Sequence, residues 1–168
     1  MEQFLHFSMD ASYNIHSNCR SHSGLHVTLG NDELPRSPYG GPITVLSHVQ
    51  KFVAASSTEA EIIAVFVYHQ HILALRNLMM NLGFDQISPS IIHQDNEAAI
   101  TIFTRGSLDK GSTRHLQMRI ARIHEIVTDG IIKFVYCPTE DMQADAPSKP
   151  LHSKQDMQKL LRLCNSDV

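Results

Sequence analysis

The sequence is poor in cysteine, in positive charge and in long apolar stretches. Its three cysteines, Cys19, Cys137 and Cys164, are widely spaced and odd in number, and no CxxC pair occurs. That excludes a disulfide framework and a zinc-ribbon pattern, and leaves reduced intracellular thiols. Lys and Arg total 14 against 17 Asp and Glu, for a formal net charge of −3. With a pI of about 6.4, this argues against a broad nucleic-acid-binding surface but permits a local basic cluster. No apolar run approaches the ~20 residues that span a bilayer, and the N-terminus lacks a signal-peptide pattern. The expected setting is therefore intracellular and cytoplasmic, with no membrane partner. None of the 11 histidines forms an HxxxH or HExxH pair on an expected helix, so most are expected at the surface.

What the chain does have is the makings of one packed domain. A length of 168 residues with 42% hydrophobic and 18% charged side chains suits a single globular core. Residues 1–152 form the body, and 153–168 an amphipathic C-terminal helix, Lys154 to Cys164, with a tail belonging to the same domain. Phe4 to Asp10 alternates apolar and polar residues, the period of a half-buried strand. His22-Ser-Gly24 is expected to turn into a second strand, Leu25–Leu29. Residues 31–41, with Pro35, Pro38, Gly40 and Gly41, connect to a third strand over Pro42–Leu46.

Ser56-Ser-Thr-Glu-Ala-Glu61 opens the longest helix, which runs to about Leu82 with Gly83 just past its end. Two capping boxes overlap there, Ser56 with Glu59 and Thr58 with Glu61, and only one can form. If Ser56 caps, Glu61 is free for another task. The following Ile62–Val67 segment is apolar nearly all round, so this helix is expected to be deeply buried against a sheet. A glutamate on its first turn then needs a donor or a cation.

Ser90–Ile100 is the stretch on which the rest converges. Ile91 and Ile92 begin a strand, Asp95 and Asn96 end it, and Glu97 begins a helix. Asp95 thus falls at the C-terminal end of a strand, where open α/β sheets place their ligand crevice, although a helix cap would look the same. A loop over 105–112 follows, then a helix over Thr113–Asp129 with Leu116, Ile120, Ile123 and Val127 as its core stripe. Arg114, Arg119 and Arg122 lie off that stripe, facing water or a polyanion. A fifth strand covers Ile131–Tyr136, and Glu140–Asp145 leads into a short helix stopped by Pro147.

The order βββ-α-β-α-α-β-α predicts an α/β fold with a mixed five-stranded sheet: strands 1, 2 and 3 antiparallel, strands 4 and 5 parallel to strand 1. A right-handed crossover lays strand 4 beside strand 1 and makes Asp10 and Asp95 neighbours. Adjacent buried carboxylates do not both stay ionised without a cation. Glu61 and Asp145 complete a set of four acids from four elements, the donor chemistry of hard divalent cations. Two such ions about 4 Å apart are a device for in-line phosphoryl chemistry.

These residues resemble the ribonuclease H domain of copia-type LTR retrotransposon Pol polyproteins. The likeness runs from Phe7 to about Leu163. It is carried by Asp10-Ala-Ser12, Ser23-Gly24, Val53-Ala-Ala-Ser-Ser-Thr-Glu-Ala-Glu61, Asp95-Asn-Glu-Ala-Ala-Ile100, Thr113-Arg-His115 and Cys137-Pro-Thr-Glu-Asp-Met-Gln-Ala-Asp145 with Lys149-Pro-Leu151. The resemblance implies a ribonuclease H-like fold and places the catalytic, metal-binding acids at Asp10, Glu61, Asp95 and Asp145. It implies an endoribonuclease that hydrolyses the RNA strand of RNA–DNA hybrids during reverse transcription, with two Mg²⁺ ions or Mn²⁺ as substitute. The implied partners are the hybrid and the reverse transcriptase domain of the same polyprotein, inside a virus-like particle. Ser12, Asn96, Arg114, Arg119 and Arg122 are candidate substrate contacts, and His115 a structural residue. The segment 138–144 lacks the histidine that cellular ribonucleases H often carry there. Two other readings stay open: a related polynucleotidyl transferase, and a non-catalytic or domesticated module that binds nucleic acid or a reverse transcriptase partner.

Overall fold

The computed structural model describes residues 4–30, 42–108 and 113–149, together with residue 158. The 31–41 connection, residues 109–112 of the basic loop and the Lys154–Cys164 helix apart from residue 158 lie outside the described residues. The elements are β1 (Phe4–Ser12), β2 (His22–Gly30), β3 (Thr44–Val49), α1 (Ser57–Asn81), β4 (Ser90–Gln94), α2 (Glu97–Arg105), α3 (Arg114–Thr128), β5 (Ile132–Tyr136) and α4 (Asp145–Ser148), with a 3-10 turn over Thr139–Asp141.

The sheet order is β3-β2-β1-β4-β5. Strands β1, β2 and β3 form the antiparallel meander, and β4 lies parallel to both β1 and β5, as the element order predicts. Phe7 is level with Ile92, and Ser8 with His93. Advancing that register by two residues brings Asp10 level with Asp95, so parallel pairing alone juxtaposes the two acids. The alternation in β1 and β2 sends Leu5, Phe7, Met9, Leu25 and Val27 into one core with Ile92 and with Ile62, Ile63, Val65 and Ile72 of α1. Each such fully buried aliphatic side chain contributes ~1.5–3 kcal/mol.

Several local expectations change. His22-Ser-Gly24 is not a turn but the first part of β2, paired with Asp10–Ser12. The strand reaches that far because Gly24 is small enough to sit beneath α4, while Ser23 faces the α1 side and accepts from Gln50 Nε2 at 2.9 Å. A Cβ on Gly24 would lie 2.6 Å from both the Ala144 carbonyl oxygen and the Ser148 nitrogen. The third strand is displaced to Thr44–Val49, and Arg105 belongs to the last turn of α2 rather than to a loop. In α3 it is Ile126, not Val127, that completes the fully buried stripe. Pro147 does not stop the last helix but sits within α4. As third residue of that helix it lies where a backbone N–H has no intrahelical partner anyway.

Six of the ten described histidines are partly or fully exposed, as expected, but four are buried. His6, His26 and His93 are each 1% exposed and His69 is 6% exposed. Alternation assigns the first three to the polar side of their strands, but that side is also covered. The expectation about apolar runs is corrected too: α1, with 25 residues, is long and apolar enough to cross a membrane by length and composition, and half of that apolar stretch is buried. Buried Glu61 and Arg76, and packing on β1, make it the central helix of the core. Arg76 donates to the Ser88 carbonyl at 3.0 Å and to Ser90 Oγ at 2.9 Å, tying the far end of α1 to the start of β4.

Candidate active site

Three acids meet at the C-terminal edge of β1 and β4. Carboxylate oxygens of Asp10, Glu61 and Asp95 all lie within 4.8 Å of one another. β1 supplies Asp10, the first turn of α1 supplies Glu61, and the residue after β4 supplies Asp95. All three line a cavity of about 750 Å³ together with Ser12, Asn96, Tyr136, Asp145 and Lys149.

Glu61 is free to enter this cavity because the competing cap has formed elsewhere. Ser56 is the N-cap of α1 and accepts from the Glu59 amide at 3.1 Å, while Glu59 accepts from the Ala55 amide at 2.9 Å. Glu59 therefore closes the helix end, two residues before Glu61. The Ala11 amide donates to Glu61 Oε1 at 3.0 Å, and Gln94 Nε2 donates to Oε2 at 2.9 Å. Those two bonds fix the carboxylate plane. Burial, with the Asp10 charge second, still raises the Glu61 pKa well above the ordinary glutamate range.

Asp10 is 7% exposed. Burial pushes its carboxyl up to about 6, with the Asp95 and Asp145 charges adding to the rise and the Ser148 hydroxyl opposing it. That hydroxyl donates to Asp10 Oδ2 and stands 3.4 Å from Ser12 Oγ. Asp95 is more open; the Thr139 hydroxyl donates to its Oδ2 at 2.8 Å. The cap on α2 is Asn96, whose Oδ1 accepts from the Ala99 amide at 3.1 Å. Asp95 is thus not the helix cap, and its carboxylate faces the cavity.

Asp145 lines the same cavity but stands outside the three-acid group. Lys149 donates to its Oδ1, one helical turn away. Burial opposes the Lys149 charge, yet the Asp145 contact outweighs it and raises that pKa. Of the expected substrate contacts, Ser12 and Asn96 line the cavity. The arginines do not. Arg119 and Arg122 line a separate groove between α1 and α3, with Phe66, His115 and Met118. The Arg119 guanidinium lies 4.6 Å from the Phe52 ring centre, and Arg122 pairs with Glu125 at 2.6 Å. Arg114 and His115 are exposed on the first turn of α3. Sequence reasoning missed Gln94, Thr139 and Ser148 as partners of the acids. Alternation could have found Gln94, which shares its side of β4 with buried Ile92; the other two become neighbours only through α4 and the 3-10 turn.

The chain is similar to the retrovirus-related Pol polyprotein from transposon TNT 1-94 of Nicotiana tabacum, 32% identical over 110 residues that cover 66% of this chain and 8% of that protein. It is similarly related to that of transposon RE2 of Arabidopsis thaliana, 31% identical over 110 residues, again 66% of this chain and 8% of that protein. The chain is a homologue of copia-type plant retrotransposon Pol polyproteins. It spans about 8% of the length of the curated relatives it matches. No family model matches it. The fold is that of ribonuclease H. The N-terminal ribonuclease H domain of rv2228c from Mycobacterium tuberculosis superimposes with a TM-score of 0.59 at 8% identity, covering 93% of this chain and 97% of that one. LC11 ribonuclease H1 in complex with an RNA/DNA hybrid gives 0.52 at 17% identity, over 84% and 91%. A foamy viral protease-reverse transcriptase in complex with an RNA/DNA hybrid gives 0.52 at 16% identity, covering 98% of this chain and 19% of that one.

Proposed function

We propose that this ribonuclease H-like domain is a metal-dependent endoribonuclease that hydrolyses the RNA strand of RNA–DNA hybrids within a retrotransposon Pol polyprotein. The observation that carries the reading is the convergence of Asp10, Glu61 and Asp95, with Asp10 and Glu61 both held toward protonation. An all-oxygen set whose members repel one another suits a hard cation such as Mg²⁺ or Mn²⁺. Asp10, Glu61 and Asp95 would hold one ion, and Asp145, once released by Lys149, would join Asp10 at a second. Bound there, the cations supply water activation and charge stabilisation at the leaving 3′ oxygen.

The chain's own groups prepare that chemistry. Gln94 and the Ala11 amide hold Glu61 in one orientation, and Thr139 holds Asp95, so little rearrangement is needed when a phosphodiester arrives. The Ser148 hydroxyl keeps Asp10 directed into the cavity. Lys149, exposed at the rim of a cavity lined by five acids, tempers the negative field that would repel a phosphate. Ser12 and Asn96 stand within the cavity where a 2′-hydroxyl could be met, the group that distinguishes RNA from DNA. A reverse transcriptase partner within the same polyprotein and an intracellular site of action follow from the relationship to Pol. The net charge of −3 fits a domain that borrows its grip on the hybrid from a neighbour.

The reading is tested by incubating the purified chain with RNA labelled in a hybrid, in an RNA duplex and as a single strand, with Mg²⁺ and then with EDTA. Cleavage confined to the hybrid and abolished by EDTA supports it. Binding without cleavage under Mg²⁺ and Mn²⁺ would favour the non-catalytic module instead.

A further inference from the structure

The β1–β2 connection, residues 13–21, holds a second set of ligand-type side chains remote in chemistry from the acids. Its sequence is His16-Ser-Asn-Cys19-Arg-Ser-His22, an H-x₂-C-x₂-H spacing. His16 Nε2 lies 3.0 Å from His22 Nδ1, and His22 Nε2 lies 2.8 Å from Ser47 Oγ on β3. In the tautomer that donates Nε2–H to Ser47, His22 presents an unprotonated Nδ1 to its neighbour, the orientation an outer hydrogen-bond partner gives a metal-binding imidazole. Two imidazole nitrogens bound tetrahedrally at ~2.0–2.1 Å stand about 3.3 Å apart, so the observed separation changes by only tenths of an ångström while the rings turn to aim both lone pairs at the ion.

The thiol is close at hand. The Cys19 amide donates to the His16 carbonyl at 2.9 Å and the His16 amide to the Arg20 carbonyl at 3.2 Å. The first of these closes a β-turn, which keeps the Cys19 and His16 Cα atoms within ~7 Å. Asn14 and Cys19 both have positive φ, 52° and 59°, a backbone that non-glycine residues adopt rarely and that fixes the shape of the connection. Cys19 is exposed; its sulfur does not stand within 4.8 Å of both imidazoles, so binding requires it to turn toward the pair, which repacks no core.

We propose that His16, Cys19 and His22 form a binding site for a borderline-soft divalent cation, Zn²⁺ above all, on the β1–β2 connection. The donor set of two imidazoles and one thiolate selects Zn²⁺ over the hard cations suited to the acid cavity. On binding, the Cys19 thiol proton leaves to solvent, and His16 keeps one ring proton by carrying it on Nδ1. Water completes a three-ligand site.

Co²⁺ is the probe: the full chain, saturated with Mg²⁺ so that the acids are occupied, is titrated while the visible and near-ultraviolet spectrum is recorded. The expected result is one equivalent giving strong tetrahedral bands and a thiolate-to-cobalt charge-transfer band, displaced by Zn²⁺. Asp95→Asn leaves them unchanged. Cys19→Ser removes the charge-transfer band, His16→Ala and His22→Ala lose the tetrahedral bands, and Ser47→Ala weakens binding by ~10-fold. Melting curves in EDTA establish that each variant is folded. A weak octahedral spectrum in the wild type, or a thiolate band that survives in folded Cys19→Ser, overturns the proposal.

Discussion

Replacing Asp10 by Asn should stabilise the metal-free protein at neutral pH and do little at pH 4. The cause is the raised carboxyl pKa, from 3.8 to about 6. A group raised on folding favours the folded state below its unfolded pKa, and that contribution is lost as pH rises through the folded value. The gap from 3.8 to about 6 corresponds to ~3 kcal/mol lost by pH 7.5. Asn removes the charge while its carbonyl oxygen can still accept from Ser148. The stability difference between Asp10→Asn and wild type, from urea unfolding in EDTA at several pH values, should therefore grow from near zero at pH 4 to a few kcal/mol at pH 7.5. In melting experiments this corresponds to roughly 5–10 °C for a chain of this size. Saturating Mg²⁺ should shrink the difference, because the cation stabilises only the wild-type site by mass action, ~2.7 kcal/mol at a hundredfold excess over Kd. A difference that stays flat with pH, or a variant less stable throughout, would refute the argument that burial, with the neighbouring acids adding to it, raises the Asp10 carboxyl pKa in the folded state.

Other outcomes rest on particular contacts. Glu59→Gln should retain nearly full cleavage and lose ~1 kcal/mol or less of stability, since Glu59 closes the helix end, whereas Glu61→Gln should be inactive yet folded; steady-state cleavage and thermal melts check both. Gly24→Ala drives a Cβ to 2.6 Å from two backbone atoms at α4 and should cost ~1–3 kcal/mol by overpacking while weakening cleavage through displaced Asp145, measured by urea unfolding and by activity. Arg122→Ala should leave hybrid affinity unchanged because its partner Glu125 already neutralises it. Arg119→Ala should weaken affinity on all sequences alike and reduce the salt slope by about 1 if it gives up Phe52 for phosphate, which filter binding across a salt series reports.

The acids were legible in the sequence because topology and capping rules both act locally. Strand alternation put Asp10 at an edge, the crossover rule put Asp95 beside it, and the overlapping boxes at Ser56 and Thr58 freed one glutamate. Asp145 was legible as a residue type but not in its present pairing with Lys149, which depends on α4 folding around Pro147. The reach of β2 to His22 was hidden because Ser23 and Gly24 look like turn residues, whereas the lack of a side chain at Gly24 serves the close approach of α4. The buried histidines were misplaced because alternation tells which side of a strand a residue occupies, not whether that side is covered. The arginines of α3 were read as a basic face; Phe52 and Glu125, which occupy two of them, come from a loop and from the same helix.

Single-turnover cleavage of one hybrid, with the RNA and the DNA strands labelled in turn, by wild type and by Asp95→Asn tests the central claim most directly. The account predicts Mg²⁺-dependent cuts in the RNA strand alone, leaving 3′-hydroxyl ends, and loss of all cleavage in a variant whose melting curve shows it folded. Cuts in the DNA strand, or RNA cleavage undiminished in Asp95→Asn, would contradict it.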